Sequence, residues 1–440
     1  MKFFIKKLGC PKNDVDGDYI AGKLIDRGHQ LATDDSSADV VIVNTCGFIL
    51  PAKEESIETI LYYANHKNEG EIGRLYVAGC LAQRYGDELV KELKEVDGFF
   101  GLGQIEQLID AVTEPAADDA VVSRVSADRL TYLAGDRRHV GDKFPYDYLK
   151  IADGCDRFCA YCAIPHIRGR YRSRPLEDIV KEARLLASRG KKEIILVSQE
   201  GTAYGRDFDN GTDIIRLLGE LEKVDGIEWI RLMYLHPESM TDGLIEYMSF
   251  SGKTLGYFDV PLQHISDKIL VAMNRRVTRK EIEKILSKIR LASPGNIIRT
   301  TFIAGLPGET EEEFLELRDF IEDFEFDRLG VFEYSPEEDT KAINFDDQVP
   351  DKVAAERQDV LMNLQQEVAF KKNIGLIHKA RKVIIDEVRA GSPAIGRTEG
   401  DCPEIDQQVY VKGGKPAVGD IADVEIVMAD GYDLIGVLKG

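Results

Sequence analysis

The 440-residue chain has no run approaching the roughly 18 consecutive apolar residues that a membrane-spanning helix requires. Its start, "MKFFIKKLGC", offers only "FFI" before lysines intervene, too short for the apolar core of a secretion signal. The expectation is a cytoplasmic protein with no membrane partner. Basic charge is also short: 57 Lys and Arg stand against 78 Asp and Glu, a net of −21. Such a surface disfavours extensive binding to a phosphate backbone and favours a cationic partner, although a local basic patch would leave direct RNA contact open. The seven cysteines are an odd number and no disulfide framework. In a reducing compartment they point to metal ligation or catalysis. "GLGQIE", residues 101–106, lacks the third glycine of a dinucleotide-binding turn, since Glu106 stands in its place. Internal repeats and low-complexity tracts are absent as well.

What is present is alternation. In the first third, "FFIKKLG", "ADVVIVNT" and "RLYVAG" read as buried strands between amphipathic stretches such as "DYIAGKLIDRG" and "YGDELVKELKEV". The fold class is therefore α/β, opening with a doubly wound parallel sheet over residues 1–115. Residues 116–140, rich in Ala, Asp and charge, read as a linker with a strand inside it. From 141 to 373 about six further strand and helix units follow, predicting a complete or partial (β/α) barrel with its chemistry at the C-terminal strand ends. A polar helix over 351–374 closes it. Residues 374–440 change to short, Gly-punctuated β runs, as in a small antiparallel barrel.

The densest chemistry lies in "LKIADGCDRFCAYCAIPHIRG", residues 149–169, where Cys155, Cys159 and Cys162 follow the first strand of the barrel-like segment. Seven cysteines scattered at random would rarely give this CxxxCxxC spacing. Three thiolates are one short of a closed zinc site, with His166 as the only nearby fourth ligand. A soft triad also suits a four-iron cluster, on which three ligands leave one iron open. Cys10, Cys46 and Cys80 are linked by context rather than spacing, because each ends a predicted strand of the first domain. Strand ends in a parallel sheet share one edge, about 5 Å apart, so these thiols converge on one site unless they are three buried small hydrophobes. Cys402, alone in "EGDCPEID", reads as a bystander.

The CxxxCxxC motif with Tyr161 before its last cysteine resembles the radical S-adenosylmethionine (SAM) enzymes. That resemblance implies that SAM occupies the open iron and yields a 5′-deoxyadenosyl radical, able to take hydrogen from a carbon too weakly acidic for any side-chain base. "TFIAGLPGET", 301–310, matches the family's glycine-rich stretch along the adenosine, with Gly305 and Gly308 as cofactor-binding candidates through close backbone approach. Where the family shows Gly-Gly-Glu for the methionine amino group, this chain has Ser198, Gln199 and Glu200, with Gln199 as the candidate contact. "RGRYRSRP", 168–175, offers Arg168, Arg170, Arg172 and Arg174, of which Arg168 is the candidate for the cofactor carboxylate; surface arginines are the plain alternative. The resemblance names no catalytic side chain.

The whole architecture resembles the methylthiotransferases, and the last segment is similar to their TRAM domain. This implies two [4Fe-4S] clusters, the second held by Cys10, Cys46 and Cys80. One SAM would act as methyl donor and another as radical source, with a sulfur donor and an electron donor as further partners. "LGCPKNDVD", residues 8–16, resembles the branch acting on the β-carbon of an aspartate in the twelfth protein of the small ribosomal subunit, free or on the ribosome. The transfer-RNA branch usually reads "GCQMN" there. Residues 374–440 carry 11 acids against 8 Lys and Arg, which suits a basic protein substrate better than RNA. A transfer-RNA adenosine methylthiotransferase and a non-catalytic iron–sulfur protein are the alternatives.

Overall fold

The computed structural model describes residues 1–114, 122–125 and 138–439. Two compact units form: one from residues 1–140, 152–182 and 335–343, the other from 141–151, 183–334 and 344–440.

The first unit begins β1 (Lys2–Lys7), α1 (Pro11–Asp26), β2 (Gln30–Leu31), β3 (Val40–Thr45), α2 (Leu50–Asn68) and β4 (Arg74–Gly79). It continues with α3 (Cys80–Glu92), β5 (Gly98–Phe100), α4 (Ile105–Thr113) and β6 (Val122–Arg124). The strands pair in the order β2-β1-β3-β4-β5-β6, all parallel. Every residue of β3 is buried, and its alternate side chains serve two cores. Val41 and Val43 pack with Ile60 of α2 and Leu81 and Leu89 of α3. Val40 and Ile42 pack with Ile20 and Leu24 of α1 and Leu108 and Ile109 of α4. Helices thus cover both faces, as continuous apolar strands require. The strand expected inside the 116–140 segment is β6; residues 126–137 lie outside the described residues.

The chain then supplies β7 (Tyr146–Lys150) to the second unit and returns to the first for the cysteine loop. A short antiparallel pair, β8 (Ala152–Asp153) with β9 (Arg172–Ser173), frames that loop, and α5 (Ile164–Arg168) lies within it. Ala163 and Ile167 pack against Cys80 and Leu102. This is why the loop condenses with the first domain rather than with its own barrel. Residues 335–343 join through buried Glu337, which accepts from Lys53 at 2.9 Å and Arg84 at 2.6 Å.

After α6 (Leu176–Ser188), the second unit alternates β10 (Glu193–Val197), α7 (Ile214–Leu221), β11 (Trp229–Leu232), α8 (Asp242–Phe250) and β12 (Tyr257–Asp259). Then come α9 (Asp267–Ala272), α10 (Arg279–Ala292), β13 (Ile297–Ala304), α11 (Glu311–Phe324), β14 (Arg328–Glu333) and α12 (Asp351–Ile374). Its six long strands form two parallel sheets, β11-β10-β7 and β12-β13-β14. Between them Leu235 N donates to Asp259 O at 2.8 Å, and Tyr234 N to the Asp259 carboxylate at 2.9 Å. The result is a partial (β/α) barrel.

The C-terminal strands β15 (Ala380–Glu387), β16 (Ala394–Thr398), β17 (Val409–Lys412), β18 (Ile421–Asp430) and β19 (Asp433–Leu438) close in the order β15-β16-β17-β19-β18. All pairings are antiparallel except β17 with β19. Val383, Ile385, Val409, Val424 and Leu434 fill the interior. The loop after β16 lies against the starts of the larger barrel's strands. Tyr146 and Tyr148 of β7 donate to Glu404 at 3.3 Å, Arg231 of β11 to Glu399 O at 3.0 Å, and Tyr257 of β12 to Asp406 at 2.6 Å. The small barrel therefore plugs the end opposite to the C-terminal strand ends, and buried Cys402 is part of that plug.

Candidate metal centres

The first three cysteines follow the adjacent strands β1, β3 and β4. Cys10 is the N-cap of α1, Cys46 follows Thr45, and Cys80 opens α3. Tight backbone brings them together. Gly9 has φ +86°, and a Cβ there would lie 2.6 Å from Cys46 Cβ and 2.8 Å from its sulfur. Gly79, at φ +97°, would meet Asn44 Oδ1 at 2.5 Å. Only glycine gives both this backbone turn and this approach. Asn13, fully buried, ties the loops by donating to Leu8 O at 3.0 Å and Thr45 O at 2.8 Å. Asn44 returns a bond to Asn13 O at 2.7 Å, and the Ser56 hydroxyl bonds both N and O of Cys46, at 3.1 and 2.9 Å.

The thiols feel one another. Burial pushes Cys80 up to about 12, against Arg168, which favours the thiolate; Cys10 and Cys46 add to the rise. Burial likewise raises Cys46, opposed by the backbone N–H of Phe48 and reinforced by Cys10. Two thiols that burial keeps protonated, Cys46 and Cys80, suit a metal centre, where the metal displaces the protons. Helix starts at Cys10 and Cys80 add partial positive charge.

Around the second triad, Cys155 N donates to Gly169 O at 3.1 Å and Cys162 N to Cys159 O at 3.0 Å, while Arg157 N approaches Cys155 Sγ at 3.5 Å. Cys155 is buried, and Cys159 and Cys162 are partly exposed. A tetrahedral ion about 2.3 Å from each sulfur needs them roughly 3.8 Å apart. Among the described residues neither triad has its sulfurs all within 4.8 Å, and His166 joins no such group with them. His166 is exposed and sets its ring edge against Phe158, centroids 6.3 Å apart. A single zinc ion with His166 as fourth ligand does not fit this arrangement.

The cofactor candidates divide. Gln199 follows β10, and both amide atoms of its side chain are buried without a hydrogen-bond partner. Its neighbour Glu200 already accepts from Ser239 at 3.1 Å and Arg206 at 3.4 Å. Gly305 and Gly308 both have positive φ, +79° and +88°. At Gly305 the close approach is to the chain itself, since a Cβ would sit 2.4 Å from Ala354 Cβ of α12; beside Gly308 the space is open. Gly305 N donates to Glu309 at 3.1 Å, and Glu309 is held by Arg357 at 2.6 Å, with His264 Nε2 3.5 Å away.

Arg168 corrects an expectation. Instead of reaching for a cofactor carboxylate, its guanidinium is 1% exposed and donates to Asp153 at 3.0 and 3.1 Å, Asn13 at 2.6 Å and Asp16 at 3.4 Å. Protein carboxylates consume it, beside Cys80. Of the other arginines, Arg174 pairs with buried Glu182 at 2.8 Å, and exposed Arg170 reaches Asp156 at 3.3 Å. Asn13, Ser56 and Glu309 were not anticipated; only Asn13 carries a signal, three residues after Cys10 at a helix start.

Comparison with known proteins agrees with this layout. Residues 2–101 match the uncharacterized protein family UPF0004, 149–321 the radical SAM superfamily and 377–438 the TRAM domain. A curated relative, ribosomal protein uS12 methylthiotransferase RimO of Desulfitobacterium hafniense, is 43% identical over 99% of this chain and 98% of its own. The protein of the same name from Heliobacterium modesticaldum is 45% identical over 99% and 95%. The chain belongs to the RimO family. It is a radical SAM methylthiotransferase, an enzyme whose cofactors are [4Fe-4S] clusters and SAM. Among solved structures, the radical SAM methyltransferase TsrM from Kitasatospora setae superposes with TM-score 0.56 at 16% identity, covering 75% of this chain and 72% of that one. OxsB, a cobalamin-dependent SAM radical enzyme, gives 0.53 at 15% identity over 82% and 56%. These two likenesses concern the fold alone. Among the described residues of this RimO family member, no helix is long and apolar enough to cross a membrane.

Proposed function

We propose that this RimO family member transfers a methylthio group to the β-carbon of an aspartate in ribosomal protein uS12, with one SAM as methyl donor and another as radical source. The observation that carries the reading is the meeting of Cys10, Cys46 and Cys80 at one sheet edge in a chain that also bears Cys155, Cys159 and Cys162. A radical generator needs one triad; a sulfur-inserting enzyme has use for a second.

Cys155, Cys159 and Cys162 hold the radical-generating cluster, and Cys10, Cys46 and Cys80 the second one. Gln199, Gly305 and Gly308 are the contacts for SAM, with Gln199 supplying the buried amide that lacks a partner. When bound, the clusters and SAM supply the electron, the carbon-centred radical and the methylthio sulfur. The chain's own part is to bind and to exclude water: Ser56 and Asn13 hold the loops, and burial shields the thiols at Cys46 and Cys80. A sulfur donor and an electron donor complete the set of partners. The acidic balance of residues 374–440 supports a basic protein substrate over transfer RNA.

Mass spectrometry of uS12 from cells with and without this gene tests the reading. A methylthio-aspartate that disappears with the gene is expected. Unmodified uS12 in both, with methylthio-adenosine lost from transfer RNA, would move the assignment to the nucleic-acid branch.

A further inference from the structure

Arg168 belongs in sequence to the loop of the second triad and in space to the first. Its neighbour Gly169 accepts from Cys155 N at 3.1 Å. Its guanidinium lies beside Asn13, whose Oδ1 takes 2.6 Å from Arg168 and stands 3.7 Å from Cys80 Sγ. Around the loop's base the backbone has no slack: a Cβ on Gly154 would fall 2.1 Å from Arg170 O. Displacement of Arg168 therefore acts on both triads. A fully buried guanidinium is costly unless paired, and Asp153 and Asp16 provide the pairing. Those carboxylates hold the charge in place, although a neutral side chain would fill the same volume without that cost.

We propose that Arg168 is a positioning residue that ties the two cysteine triads together and presses a fixed positive charge on the cluster held by Cys10, Cys46 and Cys80. This rests on the assignment of that triad to a cluster. The thiolates and an iron–sulfur cluster are together anionic, and reduction adds a further negative charge. A nearby guanidinium favours the reduced state, as charge and hydrogen bonds at cluster sulfurs set potentials generally. Two anchoring carboxylates temper the effect, so variants at the arginine and at one carboxylate must act in opposite directions.

The test uses the full chain with Cys155, Cys159 and Cys162 all replaced by Ala, so that bound iron reports on the first triad alone. Electron paramagnetic resonance during an anaerobic redox titration reads the potential. In that background, Arg168→Gln should shift the reduction equilibrium at least tenfold toward the oxidised cluster, about 59 mV for one electron. Arg168→Lys should restore most of it. Asp153→Asn leaves the arginine and removes an opposing charge, and it should shift the potential upward. That variant also covers the case in which Arg168→Gln fails to fold. An unmoved potential in Asp153→Asn, or in a folded Arg168→Gln, overturns the proposal. A background chain that binds no iron overturns the cluster assignment itself, and the proposal with it.

Discussion

Arg397 of the small barrel forms an ion pair with Glu193, the first residue of β10, at 2.9 Å, and both side chains are almost completely buried. Glu193 also accepts from Arg231 of β11 at 2.8 Å, and Arg397 from its other edge reaches Asp386 of β15 at 2.6 Å. Four charges from two sheets thus close on one another in one largely buried network. Burial alone would push the Glu193 carboxyl up, but Arg397 and Arg231 hold it below the usual range. The C-terminal barrel is consequently part of the second unit's folded core.

Removing one member of such a network leaves a buried charge unpaired. Arg397→Met should cost about 3–5 kcal/mol of stability, seen as a lower midpoint in thermal or urea unfolding. Hydrogen exchange should quicken across β15 to β19. A loss below about 1 kcal/mol, the range of a surface ion pair, would show that the barrel is held by other contacts.

Replacing Cys10, Cys46 and Cys80 together by Ala should roughly halve the iron bound per chain and abolish methylthio transfer. Formation of 5′-deoxyadenosine from SAM by the reduced protein should persist, because the second triad is intact. Iron analysis and chromatography of the SAM products give both answers. Unchanged iron would reject the first site, and loss of all SAM cleavage would reject the independence of the two.

That Cys10, Cys46 and Cys80 share one sheet edge was legible because each stands at the end of a predicted strand, and those strands pair side by side, while Cys155, Cys159 and Cys162 stand out by their mutual spacing. The six-strand barrel and the small β-barrel were legible in the same way, through alternation of apolar runs and turn residues. What escaped depends on distance along the chain. Arg168 finds Asn13 and Asp16 from more than 150 positions away, and the loop from Glu399 to Asp406 meets Tyr146 and Tyr148 across more than 250. No periodicity records such pairings. The arginines of "RGRYRSRP" show the consequence, since their alternation suggested an anion site while the structure gives two of the four to buried carboxylates of the protein itself, Asp16 and Glu182.

At the start of α11, Thr310 and Glu313 form a capping box: Thr310 N donates to the Glu313 carboxylate at 2.9 Å, and Lys268 does so at 2.9 Å. Burial opposes ionisation, yet the Thr310 hydroxyl and Lys268 pull the Glu313 carboxyl down to about 2. A carboxyl depressed in the folded state stabilises above its unfolded value, about 4.3, and loses that contribution as pH falls toward the folded one. Glu313→Gln should therefore cost about 1 kcal/mol at pH 7, with the difference shrinking between pH 4.5 and pH 3 in urea unfolding. A pH-independent difference would point to lost packing instead.

Gly305 separates two causes for one glycine. Its positive φ and the 2.4 Å approach of Ala354 Cβ mean that Gly305→Ala should destabilise the chain by about 2 kcal/mol or more, through backbone strain and overpacking. Ala354→Gly in the same chain removes the clash and should recover the overpacking part, giving a coupling of about 1 kcal/mol in a double-mutant cycle. SAM affinity, measured by calorimetry on both variants, then decides the residue's second role. If affinity returns with stability, Gly305 serves α12 alone. If the double variant is stable but still binds SAM at least tenfold more weakly, the backbone at Gly305 also carries the cofactor, as its membership of the "GLPGE" stretch predicts.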